Sequence, residues 1–201
     1  MLSDTRTALR EAGVAGPYVL APHSMSGIEA LAWAQAYPDE VESIIGLDMA
    51  VPHIYESLPI NLPALKAAHA AGSIGLVRMI PGVDKGDATK HGTLTDREKD
   101  VARAVFHSRL VTTTMVNEAI SIKASAIVVG ERAVPPIPML LFLSNGEGTG
   151  YDQSTWRSFP HTYLADSPGA AFVDLDVPHY AHDYAYQEMS VRIRDFLDAT
   201  R

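Results

Sequence analysis

The chain reads as an α/β protein, a parallel sheet interrupted by a helical insertion. Three observations predict this. Short, mostly apolar runs at 17–21, 41–47, 139–143 and 171–175 read as strands, the first unbroken as in a strand covered on both faces. Segments with helical apolar spacing separate these runs, as parallel strands require of their connections. Between 53 and 135, by contrast, helical patterns follow one another with no strand among them.

The totals narrow the function classes. With 201 residues, 47% hydrophobic and 20% charged, the chain suffices for one core and a modest insertion. A net charge of −8 and the absence of any basic run argue against a nucleic-acid partner. There is no cysteine, so thiolate nucleophiles, disulfides and cysteine metal sites are excluded. The start is polar and lacks an apolar leader core, and no charge-free run is long enough to span a bilayer. The default expectation is a cytoplasmic protein without a membrane partner.

In chain order, residues 3–12 read as a helix with Thr5, Ala8, Leu9 and Ala12 on one side and Gly13 as its stop. The run Pro17 to Ala21 is the first strand. A helix follows Ser24, with Ile28, Leu31 and Ala32 on one stripe, small residues Gly27, Ala30 and Ala34 for close packing, and Tyr37-Pro38 at its end. Val41 to Leu47 is the second strand and completes a βαβ unit. In the insertion, Leu62 to Met79 is helical but broken by Gly72 and Gly75. Thr95-Asp96-Arg97-Glu98 has the form of a capping box. Met115, Ala119, Ile122, Ala126 and Val129 then mark a helix that stops at Gly130. Met139 to Leu143, a short helix near Gln153 to Phe159, Ala171 to Leu175, and a last helix carrying Met189, Ile193, Phe196 and Leu197 complete the chain. The expected division is a core of 1–52 and 136–201 with a helical lid of 53–135.

Open parallel sheets place their sites beyond the carboxyl ends of the strands. Reading those ends in order gives Ser24, Asp48, Glu147 and His179. A serine is a weak nucleophile unless a histidine takes its proton and a carboxylate fixes the ring's tautomer. The order serine, acid, histidine is one in which such a set recurs. Alone, Ser24 reads equally well as a helix N-cap.

With these residues in place, the chain resembles the later part of an α/β-hydrolase-fold protein. The likeness runs through Gly16-Pro17-Tyr18-Val19-Leu20, the Pro22-His23-Ser24-Met25-Ser26 turn, Tyr37-Pro38-Asp39-Glu40-Val41, Leu47-Asp48-Met49-Ala50-Val51-Pro52 and His179-Tyr180. It implies a serine hydrolase of small acyl substrates, esters foremost, acting without a cofactor or metal. Ser24 would be the nucleophile, His179 the base and the Met25 N–H an oxyanion donor. For the acid the resemblance points first to Glu147, with Asp48 as the alternative and Asp152 behind it. The turn departs from Gly-x-Ser-x-Gly at Pro22 and Ser26, although Ser26 is small and Gly27 follows.

His23 is expected to face the helix–sheet packing and His182 to point away from the site. His53, His69, His91, His107 and His161 lack ligand spacing. The family's sheet carries strands before the nucleophile strand, and one of their loops gives a second oxyanion donor. Here only a helix precedes Pro17. The run 17–21 is therefore expected to form an exposed apolar edge, and the expectations are a truncated gene product and a homodimer joined through that edge. Two other readings compete. One is a prolyl-type aminopeptidase, with Glu118 or Glu131 for the substrate amine. The other is a truncated module that binds without catalysing.

Overall fold

The structure, a computed structural model, describes residues 2–57, 61–80, 90, 94–109 and 112–200. Five parallel strands are present among them: β1 (Tyr18–Leu20), β2 (His23–Ser24), β3 (Val41–Met49), β4 (Met139–Leu143) and β5 (Ala170–Asp174). Their order is β1-β3-β4-β5, with β2 also paired to β3. Eight α-helices are described: α1 (Leu2–Glu11), α2 (Ser26–Ala36), α3 (Pro52–Ser57), α4 (Leu62–Ser73), α5 (Asp96–Arg109), α6 (Thr113–Gly130), α7 (Gln153–Tyr163) and α8 (Ala181–Thr200). The α/β fold with a parallel sheet is thus as expected.

The central strands β3 and β4 are largely buried, and β4 has no polar side chain at all. Met139, Leu141 and Phe142 of β4 and Ile44 of β3 have no exposed surface. Ile45, Leu140 and Phe142 form one cluster with Leu175, Ala181 and Met189, against which Ile193, Phe196 and Leu197 of α8 pack. On the other helix, Ile28, Leu31, Trp33 and Ala34 of α2 are buried. The stripe expected on α2 is therefore right at Ile28 and Leu31 and extends to Trp33.

Two details of the first strand differ from expectation. The run breaks at Ala21-Pro22 and pairing resumes at His23, because Pro22 has no N–H to give to a ladder. Its carbonyl still accepts from Leu47 N at 2.8 Å, so β3 stays in step across the break. β3 itself runs on to Met49 rather than ending at Leu47, held there by Ala50 N donating to Ser24 O at 2.7 Å. Among the described residues β1 is paired on one side alone, the edge on which the expected homodimer rests.

The chain divides into two compact units, one of residues 1–56 and 125–201 and one of residues 57–124. The second unit is narrower than the expected insertion of 53–135. Ala126 and Val129 at the end of α6 are buried, and the Gln35 amide donates to the carbonyl of Val129 at 3.0 Å, so this end of α6 belongs with the sheet. Within 57–124, α4 stops at Ser73 and Gly75 turns the chain with φ of 80°. The capping box is formed: Thr95 N donates to Glu98 Oε2 at 2.7 Å. Met115, expected on the apolar stripe of α6, is exposed. His91 lies outside the described residues.

Gly27 sets how closely α2 can approach the end of β3. A Cβ there would stand 2.2 Å from Ala50 O and 3.0 Å from Met49 Cβ, and a backbone oxygen cannot rotate away. Gly27→Ala is expected to destabilise by about 3 kcal/mol, the upper end for overpacking, read as a lowered urea midpoint. A wild-type midpoint would contradict this packing.

Candidate active site

Ser24 closes β2 with φ of 53°, a left-handed conformation that a non-glycine residue adopts only under constraint. The constraint is visible on both sides of it. Before it, the Ser26 hydroxyl accepts from His23 N at 2.9 Å and donates to His23 O at 2.7 Å. After it, Ala50 N holds the Ser24 carbonyl, and Gly27 lets α2 start immediately. The N-cap of α2 is Met25, not Ser24, and no side chain caps it. The Ser24 hydroxyl is therefore free of the capping role that the sequence also allowed. It lies 2.9 Å from His179 Nε2 instead.

His179 sits in the loop between β5 and α8 and is 8% exposed. Its Nδ1 lies 2.6 Å from Asp48 Oδ2. A carboxylate only accepts, so Nδ1 carries the hydrogen and Nε2 is left with its lone pair facing the serine hydroxyl. Trp156 meets the imidazole edge-on, with ring centroids 5.5 Å apart.

Asp48 is the other described non-glycine residue at positive φ, also 53°, and none of its surface is exposed. The irregular register where β2 meets β3 pairs His23 with Leu47 and Ser24 with Met49, so Asp48 falls at the bulge between them. Its Oδ1 accepts from Ser144 N at 2.7 Å and from Trp156 Nε1 at 2.9 Å, leaving Oδ2 to His179. Buried carboxylates need such donors, and here two neutral groups supplement the imidazole.

Of the three candidate acids, the geometry brings Asp48 to the His179 ring. Glu147, placed first by the resemblance, has an exposed side chain, and it meets His179 through its backbone carbonyl, which accepts from His179 N at 2.9 Å. The positive-φ glycines Gly146 and Gly148 turn the backbone on either side of it. Asp152, the third candidate, is the exposed N-cap of α7 and accepts from Thr155 N at 2.9 Å. Hydrogen bonds from the Ser154 hydroxyl and from Thr155 hold its carboxyl well below the usual range. Asp48, the alternative, is the carboxylate on the ring.

The histidines also differ from expectation. The His23 ring packs on the site rather than into the helix–sheet layer, with centroids 4.7 Å from His179, 4.8 Å from Tyr180 and 4.9 Å from His182. Burial first, and then the charge of His179, push the His23 pKa down to about 4. His182 belongs to this ring cluster too. His53 meets the ring of Tyr163 edge-on, and His161 packs at a tilt against Phe172. Among the described residues no group of three or more histidine, aspartate or glutamate side chains could hold a metal. No described helix is long and apolar enough to cross a membrane.

Sequence reasoning missed three contributors: Trp156 and the Ser144 N–H as donors to Asp48, and the Ser26 hydroxyl as a strap across the turn. Nothing local marks them. Trp156 stands 108 positions from Asp48, and only the docking of α7 brings its N–H to the carboxylate.

No family model matches the chain. The uncharacterized protein YbdG of Bacillus subtilis (strain 168) is 38% identical over 122 residues, which cover 59% of this chain and 38% of that relative. The match thus spans well under half the relative's length. Among solved structures, Est816, described as an N-acyl homoserine lactone degrading enzyme, superposes with a TM-score of 0.65 at 17% identity, over 97% of this chain and 73% of that one. A mutant form of an epoxide hydrolase from Bacillus megaterium gives 0.64 at 14% identity, over 98% and 74%. A thermophilic esterase from Thermogutta terrifontis gives 0.58 at 16% identity, over 99% and 71%. The chain has the α/β-hydrolase fold.

Trp156→Phe keeps the ring and removes the N–H from Asp48 Oδ1. Losing a hydrogen bond to a charged, buried acceptor is expected to cost about 1.5–3 kcal/mol, measured as a shift in urea midpoint. An unchanged midpoint would mean that the indole does not hold this carboxylate.

Proposed function

We propose that the chain is a serine hydrolase acting on carboxylic esters through an acyl-enzyme on Ser24. The observation that carries this is the continuous hydrogen-bonded series from Ser24 Oγ to His179 to Asp48, at 2.9 and 2.6 Å, beneath a serine held at positive φ. The solved structures of the same fold include proteins described as an esterase and a lactone-degrading enzyme, which supports esters as the substrate class.

In the first half-reaction Ser24 Oγ attacks the acyl carbon while its proton passes to His179 Nε2. Asp48 holds the ring through Nδ1–H and stabilises the imidazolium that forms. As the tetrahedral adduct collapses, the bond to the leaving alkoxide breaks and His179 returns the proton to it. A water then attacks the acyl-serine with His179 again as base, releasing the acid and restoring Ser24. The N–H of Met25, the residue after the nucleophile, is the donor assigned to the developing oxyanion.

Asp48 and Glu147 give the assignment a discriminating test with a short-chain aryl ester. Asp48→Asn leaves an acceptor for Ser144 N and Trp156 but presents an amide N–H to His179, which forces the wrong tautomer. It is expected to lower kcat by about 10⁴-fold, while Glu147→Gln stays near wild type and Ser24→Ala abolishes turnover. Equal losses in Asp48→Asn and Glu147→Gln, or turnover surviving in Ser24→Ala, would overturn the proposal.

A further inference from the structure

His23 precedes the serine and is not needed for proton transfer, yet its ring is built into the site. Its Nε2 lies 3.2 Å from the carbonyl oxygen of His179, 156 positions along the chain. A carbonyl oxygen only accepts, so this nitrogen must carry the hydrogen. We propose that His23 is a positioning residue for His179: by donating Nε2–H to the His179 carbonyl it ties the backbone of the base to the strand that ends in Ser24.

The contact complements one on the other side of the same residue. His179 N donates to the Glu147 carbonyl at 2.9 Å, so with His23 both backbone polar groups of the histidine are fixed. The loop carrying His179 has no regular secondary structure between Asp174 and Ala181, and its Val177 carbonyl is held by Asn145 N at 2.9 Å. A second hydrogen bond from this loop to the strand bearing the nucleophile is the one used for chemistry, from Ser24 Oγ to the ring itself. A base held to that strand only through its reacting nitrogen would have to keep its position while that bond is made and broken.

Neutrality is part of the device. The groups facing the His23 ring are His179, Tyr180 and His182, with the Asp48 carboxylate behind His179. Burial first, then the neighbouring His179 and more weakly His182, disfavour a charge on His23, whose pKa falls to about 4; the bond to the His179 carbonyl and, less, the Asp48 carboxylate oppose this without reversing it. Near neutral pH the ring therefore stays uncharged with its one hydrogen on Nε2, and His179 can become an imidazolium without a second cation stacked 4.7 Å away. The adjacent Ser26 hydroxyl, bonded to both His23 backbone groups, fixes the point from which the ring reaches across.

This inference rests on the reading of Ser24 and His179 as nucleophile and base, and the experiment separates the two. ¹⁵N NMR of the wild-type imidazoles reads the tautomer without any turnover. His23 is expected as the neutral Nε2–H form near neutral pH. An Nδ1–H form, or a His23 that charges near neutral pH, would overturn the proposal whether or not the protein hydrolyses esters. In the variants, His23→Phe keeps a ring but has no donor, whereas His23→Gln offers an amide N–H to the same carbonyl. The expected result is a tenfold or greater loss of kcat in His23→Phe with KM little changed, recovery of most of that loss in His23→Gln, and a broadened Nδ1–H proton resonance of His179 in the phenylalanine variant alone. Wild-type kcat and an unaltered resonance in His23→Phe, or equal losses in both variants, would show that the contact does not position the base. Absence of ester turnover in wild type, with the tautomer and resonance as predicted, would remove the hydrolase reading and leave the positioning intact.

Discussion

A carboxylate with no exposed surface has to replace its lost hydration with fixed donors, and Asp48 does so with three of them. One comes from the backbone at the end of β4, one from the indole of α7 and one from the imidazole beyond β5. These donors belong to three separate segments of the chain, so satisfying one side chain brings three strand ends together. Arg157, on the next position of α7, reinforces the same junction by donating to the carbonyls of Ser144 and Leu175 at 2.9 Å each. The order of the sheet explains why this junction exists. β3 lies between the strand bearing Ser24 and β4, so its carboxyl end is within reach of both the serine turn and the loops that follow β4 and β5.

Strain and constraint coincide at this place. Ser24 and Asp48 are the two described non-glycine residues with left-handed backbones, and both stand where β2 and β3 end side by side. Each such residue costs on the order of 1–3 kcal/mol, and the surrounding contacts hold it: Ala50 N on Ser24 O, the Ser26 strap, the absence of a Cβ at Gly27, and the three donors on Asp48. The positive φ lifts the serine hydroxyl out of the strand towards His179, and the same conformation at Asp48 accompanies its place at the bulge facing the imidazole. His23 then ties the base back to the same strand end.

Much of this was legible in the sequence, and what was not has physical causes. Short, mostly apolar runs located β1, β3, β4 and β5, although only β3 and β4 are largely buried, whereas β5 leaves Ala171 and Asp174 exposed. Ser24 and His179 stand out in the sequence by position, each just beyond a strand. The acid was assigned first to Glu147 because a loop after β4 and a residue at the end of β3 are equally placed along a one-dimensional chain. Only pairing register and burial separate them: Asp48 lies at the bulge with all of its surface covered, while Glu147 turns outward from a loop between positive-φ glycines. The His23 ring was misdirected for a similar reason, since strand alternation says which face a side chain takes but not that a loop 156 positions away offers it a carbonyl. The end of the helical unit is not legible in the sequence because helical periodicity runs continuously along α6, while the change from one compact unit to the other falls inside that helix.

The central claim is that the Ser24 hydroxyl is activated by the His179–Asp48 pair, and the most direct measurement is covalent. The protein would be incubated with a fluorophosphonate and its intact mass and peptide map recorded. One phosphonyl group per chain, located on Ser24 and lost when His179 is replaced by alanine, is the predicted result. No adduct, or an adduct on another serine such as Ser26 or Ser144, would contradict it.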